Sequence, residues 1–146
     1  FQENSKIKAD YINKKYNIDV IADDSGLEIE ALNFQPGVFS ARFAGTPCNH
    51  DKNNEKVLEL MKNQNNRKAC FKTVITLITN GSTYYFDGKV EGDIVSEVRG
   101  KKGFGYDPIF VPNGYSETFA ELTAETKNKI SHRGKAIEAM LRFLKA

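Results

Sequence analysis

The sequence is organised around Ile18-Asp19-Val20-Ile21-Ala22-Asp23-Asp24-Ser25-Gly26. Its β-branched residues favour a buried strand, while Asp, Ser and Gly favour the turn that ends one. We therefore predict that Asp23 and Asp24 stand at the carboxyl end of a core strand, where open α/β sheets bind ligands. Adjacent carboxylates repel each other, so a site that keeps both ionised usually has a cation nearby, and hard oxygen ligands favour Mg²⁺. A solvated turn or a helix cap is the alternative for this pair.

Length, composition and charge describe a single globular domain. The chain has 146 residues, of which 40% are hydrophobic and 27% are charged. A net charge of +2 is too small for a nucleic-acid partner, which requires a concentrated basic face. Cys48 and Cys70 are too few for a disulfide framework or a zinc site, so we expect reduced thiols and a cytoplasmic protein. No apolar run has the length of a membrane span, so no membrane partner is expected.

On either side of the central segment, hydrophobic periodicity predicts alternating helices and strands. We predict a first helix capped by Asn4 or Ser5, a strand over Ile18–Ala22, a polar turn, and a second strand over Leu27–Ala31. The later predicted elements are a loop over 33–45, a helix capped by Asn49 or Asp51, a strand over 69–79, a hairpin at 80–82, a second turn at Asp87-Gly88, a strand over 109–111 and a C-terminal amphipathic helix.

A second unusual stretch, Gly100–Pro108, combines glycines, lysines and aromatics. Glycines permit a close approach of the backbone to a ligand, and the rings of Phe104 and Tyr106 offer flat faces on which a purine can stack. Asp107 has the acceptors to bind the edge of a base. The alternative is a flexible turn that leads into the next strand.

The tail carries a cationic cluster where the last helix begins. Lys127, His132 and Arg133 belong to this cluster. Cationic groups at the mouth of a helix suit a phosphate or a polar base. A basic, solvated helix start is the alternative, and it is the better interpretation of Lys127 taken alone. The adjacent His132 and Arg133 supply two different types of donor, which a solvated helix start does not require.

Several well-known catalytic motifs are absent. The chain has no Gly-x-x-x-x-Gly-Lys-Ser/Thr loop, no Gly-x-Ser-x-Gly elbow and no metal-binding histidine pair. The P-loop ATPase, serine hydrolase and zinc hydrolase classes therefore lose the residues that they require.

Together, the unusual segments resemble the inosine/xanthosine triphosphate pyrophosphatase family, the Ham1-like nucleotide hydrolases. The matching segments follow the order of the family and extend from one end of the chain to the other. They are Phe1-Gln2-Glu3-Asn4, Ala22–Leu27, Pro36–Gly45, Gly103–Phe110, and Ala120–Leu122 with Lys127 and Ser131–Gly134. The resemblance implies an α/β fold with a long, mixed, twisted sheet flanked by helices, and a substrate cleft between two lobes.

The resemblance also implies a reaction, in which a deaminated purine nucleoside triphosphate (ITP, dITP or XTP) is cut to the monophosphate and pyrophosphate. By resemblance, Asp24 is the general base and a Mg²⁺ ligand, while Asp23 supports the metal. Lys127 meets a phosphate or the sugar, and His132 and Arg133 aim donors at the 6-oxo group. The full set of implied substrate-binding residues is Ser25, Phe104, Gly105, Tyr106, Asp107, Lys127, His132 and Arg133.

The family has an N-terminal strand and a Thr-x-x-Asn-x-x-Lys turn before the segment that matches Phe1. We therefore expect residues 1–146 to form a single, N-terminally truncated domain, with an unpaired strand edge and weak hydrolysis. The family also implies a homodimer. Three rival hypotheses stand beside this one: a nucleotide-binding module or fragment without catalysis, a Maf-like pyrophosphatase that acts on other nucleotides, and a structural or interaction domain.

Overall fold

The computed structural model describes residues 1–146, which form nine helices and strands together with short 3₁₀ turns. The strands are β1 (Val20–Ile29), β2 (Gln35–Pro36), β3 (Lys68–Thr79), β4 (Ser82–Ile94) and β5 (Phe110–Pro112). The helices are α1 (Gln2–Tyr16), α2 (His50–Met61), α3 (Ala124–Ile130) and α4 (His132–Lys145). None of these helices has the length and apolar character needed to cross a membrane.

The five strands form one sheet in the order β2-β1-β3-β4-β5, which confirms the α/β class. Every neighbouring pair is antiparallel. The expectation of a mixed sheet is therefore wrong for residues 1–146. The reason lies in the connections. The chain leaves β1 at Ile29 and returns opposite Ala69, so β3 must run backwards along β1. The predicted hairpin at 80–82 is confirmed, and it joins β3 to β4.

β1 does not end at the two aspartates, so the predicted polar turn is wrong. The strand continues through Ser25 and Gly26, and each residue of β1 has a partner on β3. Gly26 serves close packing instead of a turn, because a Cβ there would overlap the Gly37 carbonyl and the Phe1 ring. Asp23 and Asp24 therefore lie within a strand, where adjacent side chains point to opposite faces of the sheet.

The predicted turn at Asp87-Gly88 is wrong for the same physical reason. β4 is continuous, and Gly88 pairs with Thr73 on β3. A Cβ at Gly88 would overlap the backbone carbonyl of His132. The glycine therefore allows the first turn of α4 to lie directly on the sheet, which brings His132 next to the core.

α1 and α4 cover opposite faces of the central strands. Ser5 of α1 hydrogen-bonds the hydroxyl of Thr76 on one face of β3. Ala136 and Met140 of α4 pack on Ile75, whose side chain points to the other face. This arrangement decides which residues of β1 meet α1 and which meet α4.

Two of the predicted helix starts differ in outcome. Asn49 caps α2 by accepting a hydrogen bond from the backbone N–H of Lys52 at 3.0 Å, as predicted. α1 begins at Gln2, ahead of Asn4 and Ser5, so neither of those residues is its cap. Ser5 is instead buried inside the helix against β3.

The main core lies between the sheet, α2 and the segment around β5. Its largest fully buried members are Phe110, Phe119, Leu27, Ile29, Met61, Ile109 and Val57. The predicted loop over 33–45 contains β2 and a six-residue 3₁₀ helix, Gly37–Arg42. This 3₁₀ helix packs beside β1 and forms part of the wall of the site described next.

Candidate active site

A cavity of about 780 Å³ lies beside β1, β3 and the start of α4. This volume is within the range of sites that bind small molecules and cofactors. The residues predicted to bind substrate all line it: Ser25, Phe104, Gly105, Tyr106, Asp107, Lys127, His132 and Arg133. Ser25 and Arg133 are 108 residues apart in the chain, and in the fold the Arg133 Nε donates to the Ser25 Oγ at 3.3 Å. Neither Asp23 nor Asp24 is among the lining residues.

Phe104 presents an aromatic ring to this cavity. The residue is 53% exposed, which is unusual for a phenylalanine in the middle of a folded loop. The Lys127 Nζ lies 4.8 Å and the Arg133 Cζ 5.0 Å from the centre of the ring. Both distances are within the range of cation–π attraction. The ring is thus held between positive charges, an arrangement suited to a planar ligand that carries negative groups.

Asp107 is buried and holds the loop that carries Phe104. Its Oδ2 accepts hydrogen bonds from the backbone N–H of Phe104 at 3.0 Å and from the Lys127 Nζ at 2.6 Å. A buried, paired carboxylate of this type orders the groups around it, and removing either partner would leave the other charge uncompensated. Asp107 therefore positions Phe104 and Lys127, and its direct contact with a base stays a prediction.

Tyr106 is also buried, and its hydroxyl is occupied within the protein. The Tyr106 Oη donates to the backbone carbonyl of Ser40 at 2.5 Å. Burial raises the pKa of this hydroxyl well above its usual range, so it stays protonated and remains a donor. Tyr106 thus ties the loop over 103–107 to the 3₁₀ helix Gly37–Arg42 across the cavity wall.

His132 begins α4 and lies against the core. It is only 8% exposed and stacks on Phe71, with the ring centres 4.8 Å apart and the planes 10° from parallel. Burial lowers the pKa of His132 to about 3, and the positive charges of Arg133 and Lys127 act in the same direction. The imidazole is therefore neutral at pH 7. Its buried Nδ1 has no hydrogen-bond partner in the protein.

Arg133 links the cavity to the aspartate segment of β1. Besides its bond to Ser25, its Nη2 lies 3.8 Å from an Asp23 carboxylate oxygen. Ser25 in turn donates to the Thr73 Oγ1 at 2.6 Å. The side chains of Asp23 and Ser25 thus share the face of β1 that α4 covers, as the alternation of a strand requires.

Asp24 lies on the other face, next to α1. One carboxylate oxygen is 3.6 Å from the Nζ of Lys8, which also donates to the backbone carbonyl of Asp23 at 2.5 Å. The side chain is 17% exposed, and its Oδ2 is buried with no donor in the protein. Asp24 is therefore a largely enclosed carboxylate with an unsatisfied acceptor, which is a rare state for a buried polar atom.

The donor set can be compared with the requirements of a divalent cation. No group of three or more His, Cys, Asp and Glu side chains in residues 1–146 could hold a metal ion. Asp23 and Asp24 point to opposite faces, so they do not converge on one ion. Mg²⁺, however, commonly uses one or two carboxylates together with waters and substrate phosphates. Asp24, with its unsatisfied oxygen, fits that single-carboxylate arrangement.

Sequence reasoning missed four residues that shape the site. Lys8 lies in the predicted first helix, where a lysine is ordinarily solvated, but it reaches Asp24. Phe71 lies in the strand predicted over 69–79, and it carries His132 on its ring. Ser40 supplies the acceptor for Tyr106, and buried Asn54 donates to the Gly105 carbonyl at 3.1 Å. Among these four residues, only Asn54 stood out in the sequence. It is a polar residue on the helix that buries Val57 and Met61.

The fold and the cavity together define an α/β protein with a site of nucleotide size and chemistry. An exposed aromatic ring, flanking cations and a neutral histidine lie on one side of β1, and a carboxylate paired with a lysine lies on the other. The family model described as the Ham1 family matches residues 1–143, and the chain therefore belongs to the Ham1 family.

Curated relatives and solved structures agree with this membership. A protein of Porphyromonas gingivalis named dITP/XTP pyrophosphatase is 51% identical over 144 residues, which cover 98% of this chain and 74% of the relative. A protein of the same name from Flavobacterium johnsoniae is 50% identical over 143 residues, covering 98% of this chain and 74% of the relative. The structure of the Staphylococcus aureus Ham1 protein has a TM-score of 0.95 and 43% identity, covering 99% of this chain and 76% of that one.

Proposed function

We propose that this protein hydrolyses deaminated purine nucleoside triphosphates, dITP, ITP and XTP, to the monophosphate and pyrophosphate. One observation carries the proposal. The residues that a pyrophosphatase of this family would use for substrate line one cavity of about 780 Å³. The names of the relatives, dITP/XTP pyrophosphatase, support the same substrate class.

The base binds at the end of the cavity formed by Phe104, His132 and Arg133. Phe104 stacks on the purine, at an expected gain of about 1–3 kcal/mol. Hypoxanthine and xanthine carry an acceptor at position 6, which a donor from Arg133 or His132 satisfies. Adenine carries an amino donor there, so the protein donor would be left unpaired, at a cost of about 1–3 kcal/mol. This mismatch favours ITP over ATP.

The phosphates extend from the Ser25 side of β1 to the Asp24 side. Ser25 lines the cavity, and Asp24 is the residue before it in β1. Adjacent strand residues are about 3.3 Å apart along the chain, so Asp24 is one short step from the cavity wall at Ser25. Lys8 supplies a positive charge near the same point.

In the proposed reaction, Asp24 accepts a proton from a water molecule whose oxygen attacks the α-phosphorus. The bond from the α-phosphorus to the bridging oxygen breaks, and pyrophosphate leaves with the bonding electron pair. Such hydrolysis depends mainly on positioning and on neutralising the phosphate charge. Lys8 contributes to both, since it fixes one Asp24 oxygen and adds a positive charge. Asp23 then acts chiefly as the partner of Arg133.

We propose Mg²⁺ as the cofactor, with Asp24 as its protein ligand. When bound, the ion neutralises charge on the phosphate oxygens. The unsatisfied Asp24 Oδ2 supports this assignment.

A cytoplasmic homodimer is the remaining proposal, and it is made from the family resemblance. Light scattering on the purified protein tests the dimer. A solution mass close to the 16.4 kDa of one chain would contradict it.

The decisive experiment is an assay of pyrophosphate release from ITP, dITP, XTP, GTP and ATP with Mg²⁺, run beside Asp24→Asn. A panel of modified and pyrimidine nucleoside triphosphates and a titration with IMP complete it. We expect release from the deaminated substrates and its loss in Asp24→Asn. Release from modified or pyrimidine nucleotides instead would favour the Maf-like alternative. Binding of IMP without any turnover would favour a binding module, and neither binding nor turnover would favour an interaction domain.

A further inference from the structure

Two adjacent asparagines at the start of α2 hold the two walls of the cavity, and the proposed reaction does not use them. Asn53 and Asn54 are both almost fully buried. The other buried residues of α2 are Val57 and Met61, both apolar. Asparagine side chains are seldom buried, and a buried amide needs hydrogen-bond partners to offset its desolvation. Neighbouring residues on a helix point about 100° apart, so the two side chains reach different segments.

Asn53 holds the wall formed by the 3₁₀ helix and the turn after it. Its Nδ2 donates to the backbone carbonyl of Ala41 at 3.0 Å, and its Oδ1 accepts from the backbone N–H of Ala44 at 2.8 Å. Both ends of this amide are therefore satisfied, as expected of a structural residue in a native core.

Asn54 holds the opposite wall, and its bonding is different. Its Nδ2 donates to the backbone carbonyl of Gly105 at 3.1 Å, while its Oδ1 is buried with no donor in the protein. Gly105 lies between Phe104 and Tyr106. The Asn54 amide thus satisfies the Gly105 carbonyl, but the Asn54 Oδ1 is left buried and unpaired. An unpaired buried acceptor lowers the stability of the fold.

We propose that Asn54 is a positioning residue that holds Gly105 so that the ring of Phe104 faces the base. The inference rests on the proposed function, because it assigns Phe104 the base. Asp107 anchors the loop at the Phe104 N–H, and Tyr106 anchors it at Ser40. Asn54 fixes the peptide between these anchors, so its loss changes the orientation of Phe104 more than it changes the stability of the fold.

A single tryptophan can report on this orientation, because the chain contains none. Phe104→Trp provides the parent protein, and Asn54→Ala is added to it. Alanine removes the donor to Gly105 and also the unpaired oxygen, so the two effects on stability partly cancel. Asn54→Ser is the second variant, for use if Asn54→Ala does not fold. Asn65→Ala is the matched control, because Asn65 is exposed in the segment after α2.

Without nucleotide, we expect acrylamide to quench the fluorescence of the introduced tryptophan more strongly in the Asn54 variants than in the parent or in the Asn65→Ala control. With ITP, we expect Asn54→Ala made in the wild-type protein to raise KM about fivefold and to change kcat less than about twofold, since about 1 kcal/mol of one neutral hydrogen bond is lost. Equal quenching with unchanged KM would overturn the proposal. A fall in kcat and stability at unchanged KM would show a merely structural role and would also overturn it.

These readouts separate the inference from the proposed function. If the wild-type protein does not hydrolyse ITP, the proposed function fails. The quenching comparison, made without nucleotide, then still shows whether Asn54 orders the Phe104 loop. If the wild type hydrolyses ITP and the Asn54 variants match their parent proteins in both readouts, only the inference fails.

Discussion

The two ends of the candidate site differ in how firmly contacts within the chain hold them. At the base end, Asp107, Tyr106 and Asn54 connect the Phe104 loop to Lys127, Ser40 and α2 through hydrogen bonds. At the reaction end, Asp24 has one lysine at 3.6 Å and a buried oxygen with no donor. The Phe104 loop is therefore preorganised within the chain, although the Asn54 Oδ1 and His132 Nδ1 near it are unpaired, whereas the reaction end has a charged oxygen without a donor.

This difference indicates which interactions are made before substrate arrives. A preorganised recognition end lowers the cost of ordering side chains on binding. An unsatisfied carboxylate, by contrast, gains partners only when water or a cation reaches it, so its interactions can be made during the reaction. We therefore expect changes at the base end to act on KM, and changes at the reaction end to act on kcat.

The largest expected effect comes from Asp24→Asn. The amide is close in size but cannot accept the proton from water, so kcat should fall by about 10²–10⁴-fold, the usual contribution of a general base. IMP binding, measured by titration calorimetry, should stay unchanged because the base end is not touched. Loss of IMP binding in this variant would show that the two ends are not independent, and would break the comparison.

A smaller effect is expected from Phe104→Ala. Removal of the stacking surface should cost about 1–3 kcal/mol of binding, which corresponds to a KM for ITP raised about 5- to 150-fold. The value of kcat should change far less. Phe39→Ala is a matched control, since Phe39 is also an exposed phenylalanine but does not line the cavity. Equal kinetics for the two variants would contradict the role of Phe104.

Sequence patterns predicted much of the fold and the composition of the site. The long alternation over 69–79 predicted β3, and Asn80-Gly81 predicted its hairpin, because both signals are local. The residues that line the cavity were found through segments that resemble a known family. Residue types and spacing alone gave only a Gly-aromatic loop and a basic helix start, each with an ordinary structural explanation.

The errors occurred where a residue serves a distant contact. Gly26 and Gly88 were interpreted as turn residues, yet each lies within a strand and makes room for backbone from another element. The placement of Asp23 and Asp24 on opposite faces follows from the strand that continues past them, which a local pattern of turn formers could not show. Lys8 was missed because only the packing of α1 on β1 brings it to Asp24.

The pH dependence of stability gives a test of the buried base end. The pKa of His132 is about 3 in the folded protein and 6.5 in an ordinary setting, so the unfolded chain binds the proton first. The free energy of unfolding should therefore fall as pH drops from about 6.5 towards 3, and it should not change from this cause above that window. The expected loss from pH 7 to pH 5 is about 2 kcal/mol.

Urea unfolding of the wild type and of His132→Gln at both pH values measures this contribution. The glutamine does not titrate. The fall in the free energy of unfolding between pH 7 and pH 5 should therefore be about 2 kcal/mol smaller in His132→Gln than in the wild type. His50→Gln serves as the control, because it makes the same replacement at an exposed histidine. Parallel pH profiles for His132→Gln and wild type would mean that His132 is not buried as a neutral group.

The smallest expected effect comes from Tyr106→Phe, which removes one buried bond while keeping the ring. The Ser40 carbonyl would lose its 2.5 Å donor but retain the Asn53 Nδ2 at 3.4 Å, so it would not be left wholly unpaired. Unfolding should therefore become easier by only about 0.5–1.5 kcal/mol, with KM raised a few-fold at most. Tyr115→Phe, at an exposed tyrosine, is the control. A preorganised end held by several bonds tolerates the loss of one, so a collapse of binding in Tyr106→Phe would mean that its order depends on a single contact.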